Sequence, residues 1–538
     1  MTELPRPRDS WGTRIGVILA VTGSAVGLGN FLRFPGLAAQ YEGGVFMIPY
    51  FIALLVLGLP LAWAEWAMGR YGGSRGFNSA PGIYRVLCRT RLAPYIAFPC
   101  LLVPVGIFMF YVLIEAWCLG YAWFYLTGMM SELGEQARNG MENGLLKEDV
   151  YTSFFVKFIG MAEDGASFNL SRTSALPFLA ICFALNFVTI YRGLNRGIEK
   201  FCLWAMPALI LCAILVLIRV LTLPNIDAGL GFMWNMRTEG ESFTRQLLNG
   251  KMWLEATGQV FFTLSVGLGV IITYASYLRR DDDIALSSLT SAAGNEFCEV
   301  VLGGMIIIPA AFLFFGFGVT ERVGSSFGLG FITLPIVFEQ MPLGYMAGFL
   351  FFILLFLAAA TSTLSMLQPA IALLEEGLGV NRKASVTILG FVTLVGALFV
   401  LYFSKDATAL ATFDFWVGIF FIYVIAMIQT VIFGWVLGVD KGMAELDRGA
   451  EIRVPRFIGF VLKYVAPLYL LAVFVFWIYT EIRKPEEQNT LLMTLRNPVG
   501  LMSVGFLALL AVFFLLIIAQ ASKRWQQLGA VSDAEVRA

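Results

Sequence analysis

Histidine is missing altogether from the 538 residues, and charged side chains make up only 14% of them, against about 25% in an ordinary soluble domain. The first absence removes the usual proton shuttle and transition-metal ligand, so any ion chemistry must rest on carboxylates or on neutral oxygen ligands. The second excludes a soluble globular class. Lys plus Arg and Asp plus Glu both number 37, so the formal net charge is zero and no nucleic-acid partner is implied. The seven cysteines (Cys88, Cys100, Cys118, Cys182, Cys202, Cys212 and Cys298) are scattered, with no CxxC pair and none in the polar stretch 128–173. That spacing argues against a disulfide framework and a metal cluster. With no His and no Ser/Lys dyad in the apolar segments, intramembrane enzyme chemistry has no footing either. Met1 to Ser10 lack the charged-then-apolar layout of a cleaved signal, so the first apolar segment is expected to stay.

What the chain has instead is long apolar sequence. Runs able to cross about 30 Å of hydrocarbon fall at 12–39, 44–69, 92–127, 174–191, 197–221, 252–277, 284–318, 344–377, 384–403, 409–437, 456–480 and 497–522. Twelve spans put both termini on one side. Loop 70–91 carries Arg70, Arg75, Arg85, Arg89 and Arg91 with no acid, and Arg192, Arg196 and Lys200 follow the fourth run. By the positive-inside rule these connections, and therefore both termini, are cytoplasmic. Arg279, Arg280, Arg382 and Lys383 agree. Segments 128–173 and 319–343 are then extracellular loops. The second, with Gly324-Ser325-Ser326 and Leu334-Pro335, is expected to be part helical and to lid a vestibule. Asn169-Leu170-Ser171 matches a glycosylation sequon and is read as a chance match.

Two of the apolar runs are interrupted. Gly23-Ser24-Ala25-Val26-Gly27-Leu28-Gly29-Asn30 places glycines and an amide where hydrocarbon should surround the chain, followed by Phe31-Leu32-Arg33-Phe34-Pro35. Gly23 and Gly27 also have the GxxxG spacing of a helix-packing face, and this stretch alone leaves both readings open. The run Gln259-Val260-Phe261-Phe262-Thr263-Leu264-Ser265-Val266-Gly267-Leu268-Gly269 favours the functional one. Backbone opened at membrane depth must line a cavity or coordinate something, and paired broken spans in two halves of a chain point to a transporter site.

The first interruption, Gly43-Gly44-Val45-Phe46-Met47-Ile48-Pro49-Tyr50, Glu65-Trp66-Ala67-Met68-Gly69-Arg70, Arg196-Gly197-Ile198-Glu199-Lys200-Phe201, Ile272-Thr273-Tyr274-Ala275-Ser276-Tyr277, Asn295-Glu296, Gly330-Phe331-Ile332-Thr333-Leu334-Pro335, Gln368-Pro369 and Asp414-Phe415-Trp416 carry a resemblance over nearly the whole chain. They resemble the neurotransmitter:sodium symporters, nearest the bacterial leucine-transporter branch. The resemblance implies an all-α membrane protein of twelve transmembrane helices with a LeuT-type 5+5 inverted repeat, its first and sixth helices broken. The cytoplasmic N-terminus is then 1–11, the first repeat 12–221, the second 252–437, the last two spans 456–522 and the cytoplasmic C-terminus 523–538. It also implies two sodium ions. One resembles a site made by the Ala25 carbonyl, the side chains of Asn30, Thr263 and Asn295, and the substrate carboxylate. The other takes the carbonyls of Gly23, Val26 and Ala358 with the hydroxyls of Thr361 and Ser362. On their own, without the broken first span, Thr361 and Ser362 read as hydroxyls bonded back to their own helix rather than as ligands.

Substrate class follows from charge bookkeeping. Monoamine-carrying relatives have an aspartate at the position of Gly27, so glycine there favours a zwitterionic amino acid, its carboxylate met by Tyr111 and held near Ala25, Leu28 and Gly29. As a membrane tyrosine, Tyr111 also reads as an interfacial anchor. The side-chain pocket is similar to one lined by Ile107, Phe262, Ser265, Leu268, Ser362 and Met366, all neutral. Leu268 and Met366 replace a phenylalanine and an isoleucine of the leucine-specific relative, which reads either as room for a bulkier ligand or as volume-neutral repacking. Arg33 and Asp414 resemble an outer gate, and Arg8 and Glu376 an inner one with Ser276 and Tyr277 nearby. Glu65 is expected to accept hydrogen bonds from unwound backbone. Glu299 occupies a position that is serine in chloride-dependent relatives, beside Tyr50, Gln259, Thr263 and Asn295, and can supply internally the charge that chloride brings. The expected activity is sodium-coupled import of neutral hydrophobic amino acids, leucine-like up to bulky aromatic, by alternating access in the bacterial cytoplasmic (inner) membrane. It is chloride-independent, with proton antiport through Glu299. The expected partners are an amino acid and membrane lipid, with a homodimer left open. An osmolyte carrier of the same fold is the alternative, and a channel or receptor the rival of a different class.

Overall fold

The computed structural model describes residues 10–41, 43–142, 146–171, 173–236, 243–316, 326–483 and 494–527, and among them every regular element is helical. Among the described residues nine helices are long and apolar enough to cross a membrane: Gly44–Gly73, Ala93–Leu126, Leu194–Leu221, Ile284–Phe315, Gly344–Leu378, Arg382–Tyr402, Lys405–Asp447, Phe457–Arg483 and Pro498–Gln527. A bent pair, Arg14–Ala25 with Gly29–Gln40, the shorter apolar helix Leu176–Tyr191, and the interrupted pair Gly250–Thr263 with Val270–Ser276 complete the twelve expected spans. The third (Ala93–Leu126) and eighth (Gly344–Leu378) are the most buried and pack extensively on each other, so they form the centre of the bundle.

Both breaks have local causes. Thr13 caps the first span by accepting from the Gly16 amide, and the helix runs to Ala25, after which Val26 is extended. A π-helical turn, Gly29–Arg33, leads into Phe34–Gln40, which carries Pro35 in its first turn, and the two halves meet at 49°. Proline is tolerated there because first-turn amides have no intrahelical partner. In the sixth span the chain leaves helical geometry after Thr263 and takes left-handed φ values at Ser265 (55°), Gly267 (78°) and Gly269 (77°) before Val270–Ser276 resumes. Two glycines adopt that region without cost; Ser265 does not and needs something to hold it.

The outer loops interlock. Residues 128–173 supply two helices, Met129–Glu142 and Lys147–Ile159. Residues 326–343 supply Ser326–Gly328, Leu329–Thr333 and Leu334–Gln340, while Gly324 and Ser325 lie outside the described residues. Phe155 stacks on Phe331 at 5.3 Å and 9°, and Glu339 receives Arg138 at 2.6 Å and Lys147 at 2.9 Å. The second loop is thus tied beneath the first.

The opposite end is laced by charge. Glu199 accepts from the Gly12 amide (2.8 Å), the Thr13 amide (3.0 Å) and the Thr13 hydroxyl (2.9 Å), and Arg14 reaches Asp283 (3.1 Å) and Glu451 (2.6 Å). Arg70, grouped in the sequence with the loop arginines, lies instead within helix Leu59–Gly73 and is fully buried. The reason is its set of acceptors: Glu445 at 2.9 Å, the Arg448 carbonyl at 3.1 Å, and the carbonyls of Asp282 and Glu445. It pins the links before the seventh span and after the tenth to the second. Glu445→Ala leaves this buried cation short of its carboxylate, which is expected to cost about 3–5 kcal/mol; thermal unfolding in detergent should show it as the largest loss among single substitutions at this end, and an unchanged midpoint contradicts the role.

Candidate functional site

The two breaks face each other across the bundle centre, and side chains occupy the donors and acceptors that unwinding frees. The Gly27 amide donates to Asn30 Oδ1 at 2.8 Å, and the Leu28 amide to the Tyr111 hydroxyl at 2.9 Å. On the other side the Gly267 amide donates to Glu65 Oε1 at 3.0 Å, and the Ser265 hydroxyl donates to the Ser24 carbonyl at 3.0 Å. That last bond joins the two breaks and holds Ser265 in its left-handed conformation. Glycine at 27 is a steric requirement, because a Cβ would lie 2.7 Å from the Tyr111 hydroxyl and 3.0 Å from Ser362 Oγ.

Around this seam the oxygens form two groups. Ser362 Oγ lies 3.4 Å from the Gly23 carbonyl, 3.4 Å from that of Val26 and 3.1 Å from that of Ala358, with Thr361 Oγ1 on the same Ala358 carbonyl at 3.1 Å. One hydroxyl hydrogen cannot satisfy three carbonyls, whereas a hard cation can. The second group converges on Asn30. Its Nδ2 meets Thr263 Oγ1 at 3.1 Å, Asn295 Oδ1 at 2.9 Å and Glu299 Oε2 at 3.2 Å, three oxygens around a nitrogen with two hydrogens. Asn295 Nδ2 also donates to Thr263 Oγ1 at 2.9 Å. The carbonyl and hydroxyl oxygens around Ser362 fit sodium and fit no soft metal; the second group offers the Thr263, Asn295 and Glu299 oxygens, with the Asn30 oxygen itself turned to the Gly27 amide.

Glu299 is fully buried and accepts from Gln259 at 2.7 Å, from Asn30 and from the Thr263 hydroxyl. Its donors are all neutral. The Tyr50 hydroxyl, expected beside Glu299, donates at 2.7 Å to Glu296, one helical turn earlier on the seventh span. Ile107, Tyr111, Leu268, Met366 and Ala25 are buried, and Phe262 is half-buried with the Arg33 guanidinium 5.3 Å from its ring centroid. Gly29 lies against that ring, where a Cβ would come within 2.8 Å of it.

The gate residues are distributed unevenly. Arg33 sits over Phe262 rather than in ion-pair contact with Asp414, and it borders a cavity of about 480 Å³ lined also by Phe415, Phe420 and Trp477. Arg8 lies outside the described residues. Glu376 accepts from the Asn78 amide at 2.6 Å, the Ser79 amide at 3.1 Å and the Ser79 hydroxyl, so it holds in place the residue, Ser79, that caps helix Ala80–Cys88. Ser276 reaches the same corner through Asn78 Oδ1 at 3.1 Å, while Tyr277 accepts from Gln368 at 3.0 Å. Sequence reading missed a buried ring behind Ser362. Glu115 is approached by Asn186 at 2.9 Å and Thr363 at 3.0 Å, and Thr363 lies 2.9 Å from Asn186 Oδ1. Glu115 is an acid within the apolar run 92–127; its partners on the fourth and eighth spans carry no signal beyond being polar.

Helices interrupted at mid-bundle, with neutral oxygens gathered at both interruptions, define a secondary transporter that moves a small solute with a cation. The comparisons with known proteins narrow this class. The sodium:neurotransmitter symporter family model matches residues 8–525, and the chain belongs to that family. A sodium-dependent transporter of Methanocaldococcus jannaschii is 26% identical over 87% of this chain and 89% of its own length. YhdH, a sodium-dependent transporter of Bacillus subtilis, is 30% identical over 69% of this chain and 74% of its own. The crystal structure of MhsT in complex with L-phenylalanine superposes with a TM-score of 0.70 at 28% identity, covering 87% of this chain and 99% of that one. The chain is therefore an integral membrane, sodium-coupled symporter of the leucine-transporter fold, with a small-molecule substrate.

Removing the Ser362 hydroxyl takes one oxygen from a dry carbonyl cluster that water cannot easily refill. Ser362→Ala and Thr361→Ala are each expected to raise the sodium concentration for half-maximal substrate binding by roughly tenfold, equivalent to about 1.4 kcal/mol. Sodium titrations unchanged in both variants remove this cluster as a sodium site.

Proposed function

We propose that this symporter imports neutral, hydrophobic amino acids, from leucine-sized to bulky aromatic, with two sodium ions by alternating access across the bacterial cytoplasmic membrane, both termini inside. The observation that carries this reading is the buried Tyr111 hydroxyl at the Leu28 amide, 2.9 Å away in the middle of the first break. With its oxygen accepting from Leu28, Tyr111 keeps its hydroxyl hydrogen to donate to a carboxylate, and the expected pocket residues Ile107, Phe262, Ser265, Leu268 and Met366 offer nothing to a charged side chain. Gly27, which leaves no counter-ion for a lone amine, points the same way, and L-phenylalanine in the MhsT structure agrees with the size range. The Ala25 carbonyl with Asn30, Thr263 and Asn295 would hold one sodium. The carbonyls of Gly23, Val26 and Ala358 with Thr361 and Ser362 would hold the other. Sodium in both clusters supplies fixed positive charge that the substrate carboxylate offsets.

Glu299 completes the bookkeeping. A carboxylate beside the Asn30 cluster can balance sodium without chloride, and after sodium leaves it can carry a proton back outward. Two sodium ions entering alone move two charges, worth about 4.6 kcal/mol per 100 mV; one proton leaving reduces this to about 2.3. Asp414 with Arg33 outside, and Glu376 with Arg8, Ser276 and Tyr277 inside, would close the two ends in turn.

Binding measured for all twenty amino acids and for osmolytes, with sodium and with potassium, tests the substrate class; an osmolyte that outcompetes leucine and phenylalanine contradicts it. Leu268→Phe should shift preference from large toward leucine-sized side chains by about 1–3 kcal/mol, and phenylalanine and leucine affinities that both stay put remove Leu268 from the pocket. Glu299→Ser should make transport depend on chloride and abolish its response to inside-acid pH. Wild-type uptake that fails in gluconate, or a serine variant indifferent to chloride, contradicts the role given to Glu299.

A further inference from the structure

The tenth span does not end where it leaves the apolar layer. Gly438 takes φ 85° and ψ 137°, and the chain continues as the helix Val439–Asp447. The eleventh span begins with Phe457–Phe460 and passes through a π-helical turn, Val461–Val465. The two approach closely at Gly434, where a Cβ would lie 3.0 Å from the Lys463 Cα, and the Trp435 indole donates to the Lys463 carbonyl at 2.8 Å. Beside this contact lies a groove of about 540 Å³ between Gly434 and Asp440 on one side and Gly459 and Tyr464 on the other.

Its chemistry is that of a membrane boundary. Lys463 stands six residues after Phe457, about 9 Å along the helix, among Trp435, Phe460 and Tyr464, whose exposures of 62%, 61% and 47% put an aromatic belt at this depth. The Lys463 ammonium lies 5.4 Å from the Tyr464 ring centroid, and among the described residues no carboxylate is in ion-pair contact with it. Asp440 lines the same groove, exposed in the first turn after the Gly438 break. One cation and one anion lining the same groove match a zwitterionic headgroup better than an anionic one.

We propose that this groove binds an amine-bearing phospholipid of the phosphatidylethanolamine type, with its phosphate at Lys463 and its ammonium at Asp440. Phosphatidylglycerol satisfies Lys463 but brings its charge next to Asp440 with nothing to offset that carboxylate, and free phosphate has the same defect. The helix that carries Asp440 also carries Glu445, the partner of buried Arg70. A headgroup seated here therefore braces the segment that pins the second span to the link after the tenth.

The full-length transporter, exchanged in detergent into an equimolar mixture of phosphatidylethanolamine and phosphatidylglycerol and then repurified, reports the preference through its retained lipid, read by native mass spectrometry. About fivefold enrichment of phosphatidylethanolamine is expected in the wild type, the scale of one exposed charge pair. Asp440→Asn should bring the ratio close to one, and Lys463→Gln should lower retention of both lipids. Both substitutions are on the surface and leave the bundle core intact. Equal retention of the two lipids by the wild type, enrichment of phosphatidylglycerol, or a preference that neither variant alters overturns the proposal.

Discussion

Backbone that leaves helical geometry inside a membrane must find other partners, and how this chain meets that demand shapes the whole molecule. The Ser265 hydroxyl on the Ser24 carbonyl and the Asn30 amide on the Thr263 hydroxyl join the two breaks directly to each other. The Ser265 bond holds a non-glycine residue in a left-handed conformation, and the Ser24 carbonyl it uses turns toward Ser362 together with those of Gly23 and Val26. Tyr111 and Glu65 complete the arrangement from the third and second spans by accepting the amides of Leu28 and Gly267. The scaffold spans therefore hold open the segments that the sodium and substrate chemistry needs.

The absence of histidine and the scarcity of charge give the few acids well-separated tasks. Glu299 is met only by neutral donors at the Asn30 cluster, Glu115 by Asn186 and Thr363, and Glu65 by backbone. Charge pairs that close in space gather at the two ends, Glu339 with Arg138 and Lys147 at one and Arg14, Arg70 and Glu445 at the other. A core of neutral oxygens between charged ends suits a carrier whose cargo brings the charge with it.

Much of this was legible in the sequence because it is local. Glycines and an asparagine at mid-depth mark the breaks, run length marks the spans, and Ala358 to Ser362 sit together on one helix turn. What was not legible depends on partners far apart in the chain. Arg70 reads as one more cytoplasmic loop arginine until Glu445, 375 residues away, closes on it. Glu199 gives no hint that it anchors Gly12 and Thr13. Glu376 reads as half of an inner ion pair whose partner Arg8 lies outside the described residues, and nothing in its spacing shows that its carboxylate also holds Asn78 and Ser79 ahead of helix Ala80–Cys88. Tyr50 donates to Glu296 as well as standing beside Glu299, a second acid one turn away that spacing alone does not single out.

The most direct measurement is concentrative uptake in proteoliposomes containing the purified protein, with radiolabelled leucine or phenylalanine outside, an imposed inward sodium gradient and an inside-negative potential. Saturable accumulation above the outside concentration is expected, collapsing when potassium replaces sodium or when the potential is dissipated. Accumulation that persists without sodium, or flux that is non-saturable and never exceeds equilibration, contradicts sodium-coupled amino acid symport through this pair of broken helices.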